Sequence, residues 1–128
     1  MKILLDTHVF LWIIFDATGL SAKAKKIFLD EGNDLFLSLA SMWEIAIKCS
    51  LGKLTLKQPM AKFLPEQLQE NSIMQLEISF RHIVGVAALP FHHRDPFDRL
   101  IISQAIQENL PILSSDTAFD AYNIQRLW

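Results

Sequence analysis

The chain reads as an α/β protein in which a mainly parallel sheet is covered by helices on both faces. Three observations predict this. Short apolar runs such as "KILL" and "DLFLSL" alternate with longer segments whose apolar residues recur at helical spacing. A strand buried on both faces needs no polar alternation, which is the pattern of a parallel sheet between helical layers. Finally, 128 residues at 51% hydrophobic and 20% charged suffice for one globular domain with a real core, spanning 1–128.

In order, "KILL" (2–5) is the first strand and "THVFLWIIF" (7–15) a helix. "SAKAKKIFLDEG" follows, with Ser21 placed to cap a helix and Gly32 to stop it. "DLFLSL" (34–39) is the second strand. The next helix, "SMWEIAIKCSLG", has Ser41 as N-cap, Glu44 three residues on at capping-box spacing, and Gly52 as its close. "LTL" is ambiguous, and Pro59 and Pro65 either split the following helical segment in two or put a proline in a first turn. "SIMQLEI" (72–78) is the third strand, followed by a helix, "FRHIVGVAAL", ended by Pro90. In "DPFDRLIISQAIQEN", Asp95 takes the N-cap, Pro96 the first helical position and Asn109 the stop. "PILSS" is the fourth strand and "NIQRLW" a last edge strand. No internal repeat, low-complexity tract or linker interrupts the series.

Composition narrows the function. A formal net charge of -2 gives no global attraction to a polyanion, so contact with nucleic acid requires local basic patches. The single Cys49 excludes an internal disulfide and stands away from any Cys or His at zinc spacing, as a buried thiol in a reducing cytoplasm would. Lys2, "VFLWIIF" and "SAKA" imitate the parts of a secretory signal, but Asp6, His8 and Asp16 interrupt it. No run reaches the roughly eighteen apolar residues that span a bilayer, so a cytoplasmic protein with no membrane partner is expected.

In open parallel sheets, ligands bind beyond the carboxyl ends of the strands. Four acids fall at such places: Asp6 after "KILL", Glu44 after "LFLSLAS", Asp98 after "HHRDPF" and Asp116 after "PILSS". Gathered in one pocket they would repel one another unless a cation neutralised them. All-oxygen ligands point to Mg²⁺ or Mn²⁺ rather than zinc, completed by a phosphate oxygen, and the chemistry that suits them is phosphodiester hydrolysis. Each acid also has a simpler reading. Glu44 and Asp98 sit where capping boxes put a carboxylate, and Asp116 could start a turn. Asp6 resists this, because it lies between an apolar strand and an apolar helix, where an unpartnered carboxylate is expensive.

The blocks "KILLDTHVFLWII", "SMWEIAIKCSLGKL", "LPFHHRDPFDRLIISQA" and "ILSSDTAFDAY", running from Met1 to Trp128, resemble the PIN-domain family and, within it, the VapC-type ribonuclease toxins of bacterial toxin-antitoxin pairs. The resemblance implies a three-layer α/β/α sandwich around a parallel sheet. It further implies an Mg²⁺- or Mn²⁺-dependent endoribonuclease acting on RNA, commonly a homodimer, and held inactive by a cognate antitoxin. The family's four acids fall on Asp6, Glu44, Asp98 and Asp116. Asp6 and Asp98 are then direct metal ligands, Asp116 completes the cluster, and Glu44 either binds the metal or orients the attacking water. Ser114 stands where the family often has Thr, keeping the hydroxyl, and Asp95 is assigned to capping.

The basic residues admit two readings each. Arg99 either pairs with the acid cluster or reaches a phosphate. His92, His93 and Arg94 either contact the RNA backbone or form a solvated loop. "KAKK" (23–26), Lys48, Lys53 and Lys57 form either an RNA-tracking surface or a solvated one. His8 and His82 read as satisfied helix residues. Trp12, Phe15, Ile27, Phe28 and Trp43 fit core packing, with an exposed dimer or antitoxin groove as the alternative. Two other functions stay open: a catalytically silent module of the same fold that binds RNA or protein, and a nuclease directed at DNA.

Overall fold

The computed structural model describes residues 1–128. Its elements run β1 (Lys2–Leu5), α1 (Thr7–Ile14), α2 (Ala22–Leu29), β2 (Asp34–Ser38), α3 (Leu39–Ser50), α4 (Met60–Glu70), β3 (Ile73–Leu76), α5 (Phe80–Ala88), α6 (Pro96–Gln107), β4 (Ile112–Leu113), a 3₁₀ turn (Thr117–Ala121) and β5 (Arg126–Leu127). The five strands form one sheet in the order β3-β2-β1-β4-β5, and every pairing is parallel. This is the α/β architecture expected from the alternation of strands and helices.

The apolar runs are buried on both faces. From β1, Ile3 and Leu5 enter one core with Val9, Phe10, Ile45, Phe63 and Leu64, while Leu4 enters the other with Ile101, Ile102 and Ala105. In β4, Leu113 joins the first core and Ile112 the second. The strand period of two thus feeds two helical layers, with α1, α2 and α4 on one side, α6 on the other and α3 touching both. α5 packs on α6, which lies between it and the second core.

Two local expectations are corrected. Ser41 does not cap α3, because the helix begins earlier: Ser38 is the N-cap, its Oγ accepting the Ala40 amide at 3.0 Å. Ser41 lies buried inside the first turn, where its Oγ accepts from Thr7 Oγ1 at 2.8 Å. The segment with Pro59 and Pro65 is one helix, with Pro59 at the N-cap and Pro65 inside it. Pro65 and Ala61, whose carbonyl loses its partner, are both exposed, so water can satisfy that oxygen. "LTL" forms no regular element.

Strand order fixes where a site can form. After β3 the chain crosses back over β1 to lay β4 on its other side, so the order reverses between β1 and β4. At such a reversal the loops leaving two adjacent strands part to opposite faces and open a crevice at their carboxyl ends. Asp6 follows β1 directly, and Ser114 and Asp116 follow β4.

Candidate active site

Asp6 occupies the N-cap position of α1, yet its side chain makes no capping bond. Its amide donates to Leu113 O at 3.1 Å, tying it to β4, and its carboxylate Oδ2 accepts from Ser114 Oγ at 2.8 Å. Both residues are buried. Burial raises the Asp6 pKa above the usual carboxylate range. The Ser114 hydrogen bond and the charge of His8 pull it down, while the charges of Asp116 and Glu44 push it up.

Asp98 lies in the first turn of α6. Asp95 does the capping there, its Oδ1 accepting the amides of Phe97 at 2.8 Å and Asp98 at 3.2 Å. The reciprocal half of a capping box is absent, because the Asp95 amide donates to His93 Nδ1 at 3.2 Å rather than to the Asp98 carboxylate. That leaves the Asp98 side chain free to face the pocket. Its pKa is pushed up to about 8, first by burial and then by the charges of Asp6, Asp95, Glu44 and Asp116. The other three acids are therefore all felt at this one carboxyl.

Glu44 is in the second turn of α3, so it is no part of a cap. Its Oε2 pairs with Lys48 at 3.5 Å, and its Oε1 is buried without any hydrogen-bond partner. Asp116 has two roles. Oδ1 accepts the Ala118 amide at 2.9 Å to start the 3₁₀ turn, and Oδ2 lies 3.9 Å from His93 Nε2. Ser114 joins the two strand ends, since its Oγ also accepts the Asp116 amide at 3.0 Å.

His93 comes closer to the acids than a backbone-contact residue would need to. Its Nε2 is 3.1 Å from Asp98 Oδ2. With Nδ1 accepting from Asp95, the neutral ring carries its proton on Nε2 and donates it to the carboxylate. One ligand-type atom from each of His93, Asp98 and Asp116 lies within 4.8 Å of the others.

Neither reading of Arg99 matches the geometry. It is buried and touches no carboxylate; its guanidinium donates to the carbonyls of Pro90 (3.0 Å), Val86 (3.2 Å), Leu89 (3.3 Å) and His93 (3.4 Å). The Phe91 ring covers it at 4.0 Å. Arg99 thus folds the strap between α5 and α6 around itself, and that strap carries His93. Tyr122, the chain's single tyrosine, shares the task. Its hydroxyl accepts the amides of His92 (3.2 Å) and His93 (2.9 Å) and donates to Pro90 O at 2.8 Å. Sequence reasoning missed Tyr122; a lone tyrosine near the last acid was the only signal it offered. Arg94 and His92 are exposed on the strap. His82 is buried and satisfied, between the Ser79 amide and Glu108, and Trp12 packs on the first core. Trp43 does not pack inside: it is 60% exposed.

The donor set is suited to a hard divalent cation. It offers several carboxylates, two with raised affinity for protons, and one buried carboxylate oxygen with nothing to bond. An all-parallel α/β sheet with carboxylates gathered at its reversal point places the protein among α/β proteins with an acidic pocket at the carboxyl edge of the sheet.

The chain belongs to the PIN domain family, whose model matches residues 3–125. Over 60 residues it is 35% identical to Ribonuclease VapC16 of Mycobacterium tuberculosis (strain ATCC 25618 / H37Rv), a stretch spanning 47% of this chain and 43% of that protein. Among solved structures it resembles VapBC2 from Rickettsia felis bound to a DNA fragment from its promoter, with TM-score 0.72, 16% identity and 100% of both chains covered. It also resembles VapBC-5 from Mycobacterium tuberculosis, a member of the VapBC family of toxin-antitoxin systems, with TM-score 0.61, 16% identity and 98% and 96% covered. At these identities the structural likeness is one of fold.

Proposed function

We propose that this chain is a metal-dependent endoribonuclease, the toxin of a toxin-antitoxin pair, with residues 1–128 acting as one nuclease domain. The carrying observation is that the four acids feel one another across a single pocket and that two of them, Asp98 and Glu44, are poorly compensated there. Burial and mutual repulsion hold the Asp98 carboxyl at about 8, and Glu44 Oε1 has no partner. Acids kept for structure are placed where they are satisfied; a cluster held this way is kept for a cation.

Asp6, Asp98 and Asp116 are the proposed ligands, with Glu44 as a further ligand or as the group that orients the attacking water. Mg²⁺ or Mn²⁺ bound there lowers the pKa of a water and offsets charge developing on the phosphodiester. The chain's own residues prepare the ground. Ser114 occupies one oxygen of Asp6 and leaves the other for the pocket. Asp95 keeps His93 in the tautomer whose Nε2–H donates to Asp98, which orients that carboxylate in the pocket. Exposed Arg94 stands beside His93 for the RNA backbone.

The match to a VapC ribonuclease supports RNA as substrate, and the fold shared with VapBC assemblies supports neutralisation by a cognate antitoxin. No helix is long and apolar enough to cross a membrane, which accords with action in the cytoplasm. The outer face of α5, with Phe80, Ile83 and Val84 exposed, supports a homodimer, which light scattering tests.

The deciding experiment is cleavage of pooled cellular RNA by purified, antitoxin-free protein in Mg²⁺, Mn²⁺ or EDTA, beside Asp98→Asn. Cutting that requires metal and disappears in the folded variant is expected. Equal cutting by Asp98→Asn, or cutting undiminished in EDTA, overturns the reading.

A further inference from the structure

We propose that Trp43, steadied by Phe97, is a stacking platform for a base of single-stranded RNA beside the scissile phosphate. This deepens the nuclease reading and rests on it. Trp43 keeps 60% of its surface in water, whereas Trp12 and Trp128 pair with each other, ring centroids 5.8 Å apart, on the first core. An exposed indole has a hydrophobic cost that packing does not explain here.

Its position is specific. Trp43 immediately precedes Glu44 on α3, and Phe97 immediately precedes Asp98 on α6. The two rings meet at 5.0 Å with an interplanar angle of 80°. In an edge-to-face pair only one ring offers a face to the contact, so at least one face of the indole is left uncovered by Phe97. The ring contact thus ties α3, which carries Glu44, to α6, which carries Asp98, close along both helices to those acids.

The electrostatics favour such a contact. Four acids and a net charge of -2 repel a polyanion, and Lys48 is already committed to Glu44 at 3.5 Å. Base stacking draws on the π-face of the base and is insensitive to charge, so it supplies affinity where phosphate contacts are weakest. A protein partner seated on Trp43 is the competing occupant; the placement of both rings one residue before a site acid favours the substrate.

The test is binding of a labelled single-stranded RNA of about ten nucleotides in EDTA, followed by anisotropy and by tryptophan quenching. Wild type and Asp98→Asn should bind and be quenched, and an abasic strand of the same length should not quench. Trp43→Leu should bind about tenfold more weakly, with the deficit persisting at high salt, and Trp43→Phe should recover most of the loss. In cleavage with metal, Trp43→Leu should raise KM with little change in kcat. Unchanged RNA binding in Trp43→Leu, no binding by wild type in EDTA, or a defect confined to antitoxin affinity each overturns the proposal. Absence of cleavage by wild type, with stacking intact in EDTA, would instead overturn the nuclease reading alone.

Discussion

Arg99 buries a full charge at 5% exposure and gives it neutral partners only, four carbonyls and a tyrosine hydroxyl. A planar fork can serve carbonyls on both sides at once, whereas a lysine ammonium cannot. Arg99→Lys should therefore destabilise the fold by about 2–4 kcal/mol, since several buried carbonyls lose their donors together. Urea titration measures this, and faster proteolysis after Arg94 would locate the loosened strap; a loss under about 0.5 kcal/mol would show that the cage is dispensable. Asp98 acts in the opposite direction. Its folded pKa, about 8, lies above the ordinary 3.8, so between those values the folded state holds a proton that the unfolded chain releases. The penalty is absent below pH 4, grows as pH rises through that window and is complete above pH 8. In metal-free protein, Asp98→Asn should thus be more stable than wild type at pH 8 by about 2 kcal/mol, allowing for screening at the pocket mouth, with the gap closing towards pH 4. Thermal scans across that range check the sign, and a gap that widens on acidification would refute it.

At the scale of elements, α5 and α6 are held together through Gly85. A Cβ there would overlap Ser103 Oγ and approach Gln107 Nε2 at 3.1 Å, and Ser103 cannot readily turn away because its hydroxyl donates to His82 O at 2.6 Å. Gly85→Ala should therefore cost about 1–3 kcal/mol despite its better helix propensity, and most of that cost should vanish in a Ser103→Ala background. A denaturation cycle over the four proteins measures the coupling; additive effects would mean the helices can simply part. Elements were legible where local chemistry decides them. Apolar runs announced the strands, and Asp95-Pro96 announced α6, because a cap and an N1 proline are satisfied by their own neighbours. Ser38 was hidden behind Ser41, since both suit an N-cap and only burial against Thr7 and Gln104 decides between them. Pro65 misled because its solvent-facing position makes the missing hydrogen bond cheap.

Across the whole molecule, the acids were legible because a parallel sheet has one carboxyl edge, and any acid just beyond a strand or at a following helix start lies along it. The supports of those acids were not legible. Arg99 and Tyr122 act on backbone carbonyls and amides, which every residue possesses, so no pattern of side chains foretells them. On the proposed reading, the sheet assembles a pocket in which protons and a divalent cation would compete for the same oxygens. The contribution of Asp6 and Asp98 to metal-free stability should fall as pH rises, because these acids are forced to ionise against burial and their acidic neighbours. A cation held there would reverse the preference, favouring the ionised carboxylates and displacing the Asp98 proton below pH 8. The gain in stability from a fixed concentration of Mn²⁺ should therefore be larger at pH 8 than at pH 6, reaching about 2.7 kcal/mol at a hundred times the Kd. Asp98→Asn should lose most of that gain and most of its pH dependence, having neither the charge nor the proton. Thermal scans of both proteins at the two pH values, with and without Mn²⁺, read out the effect without any RNA. An equal Mn²⁺ shift at both pH values, or one undiminished in the variant, would place the cation away from Asp98.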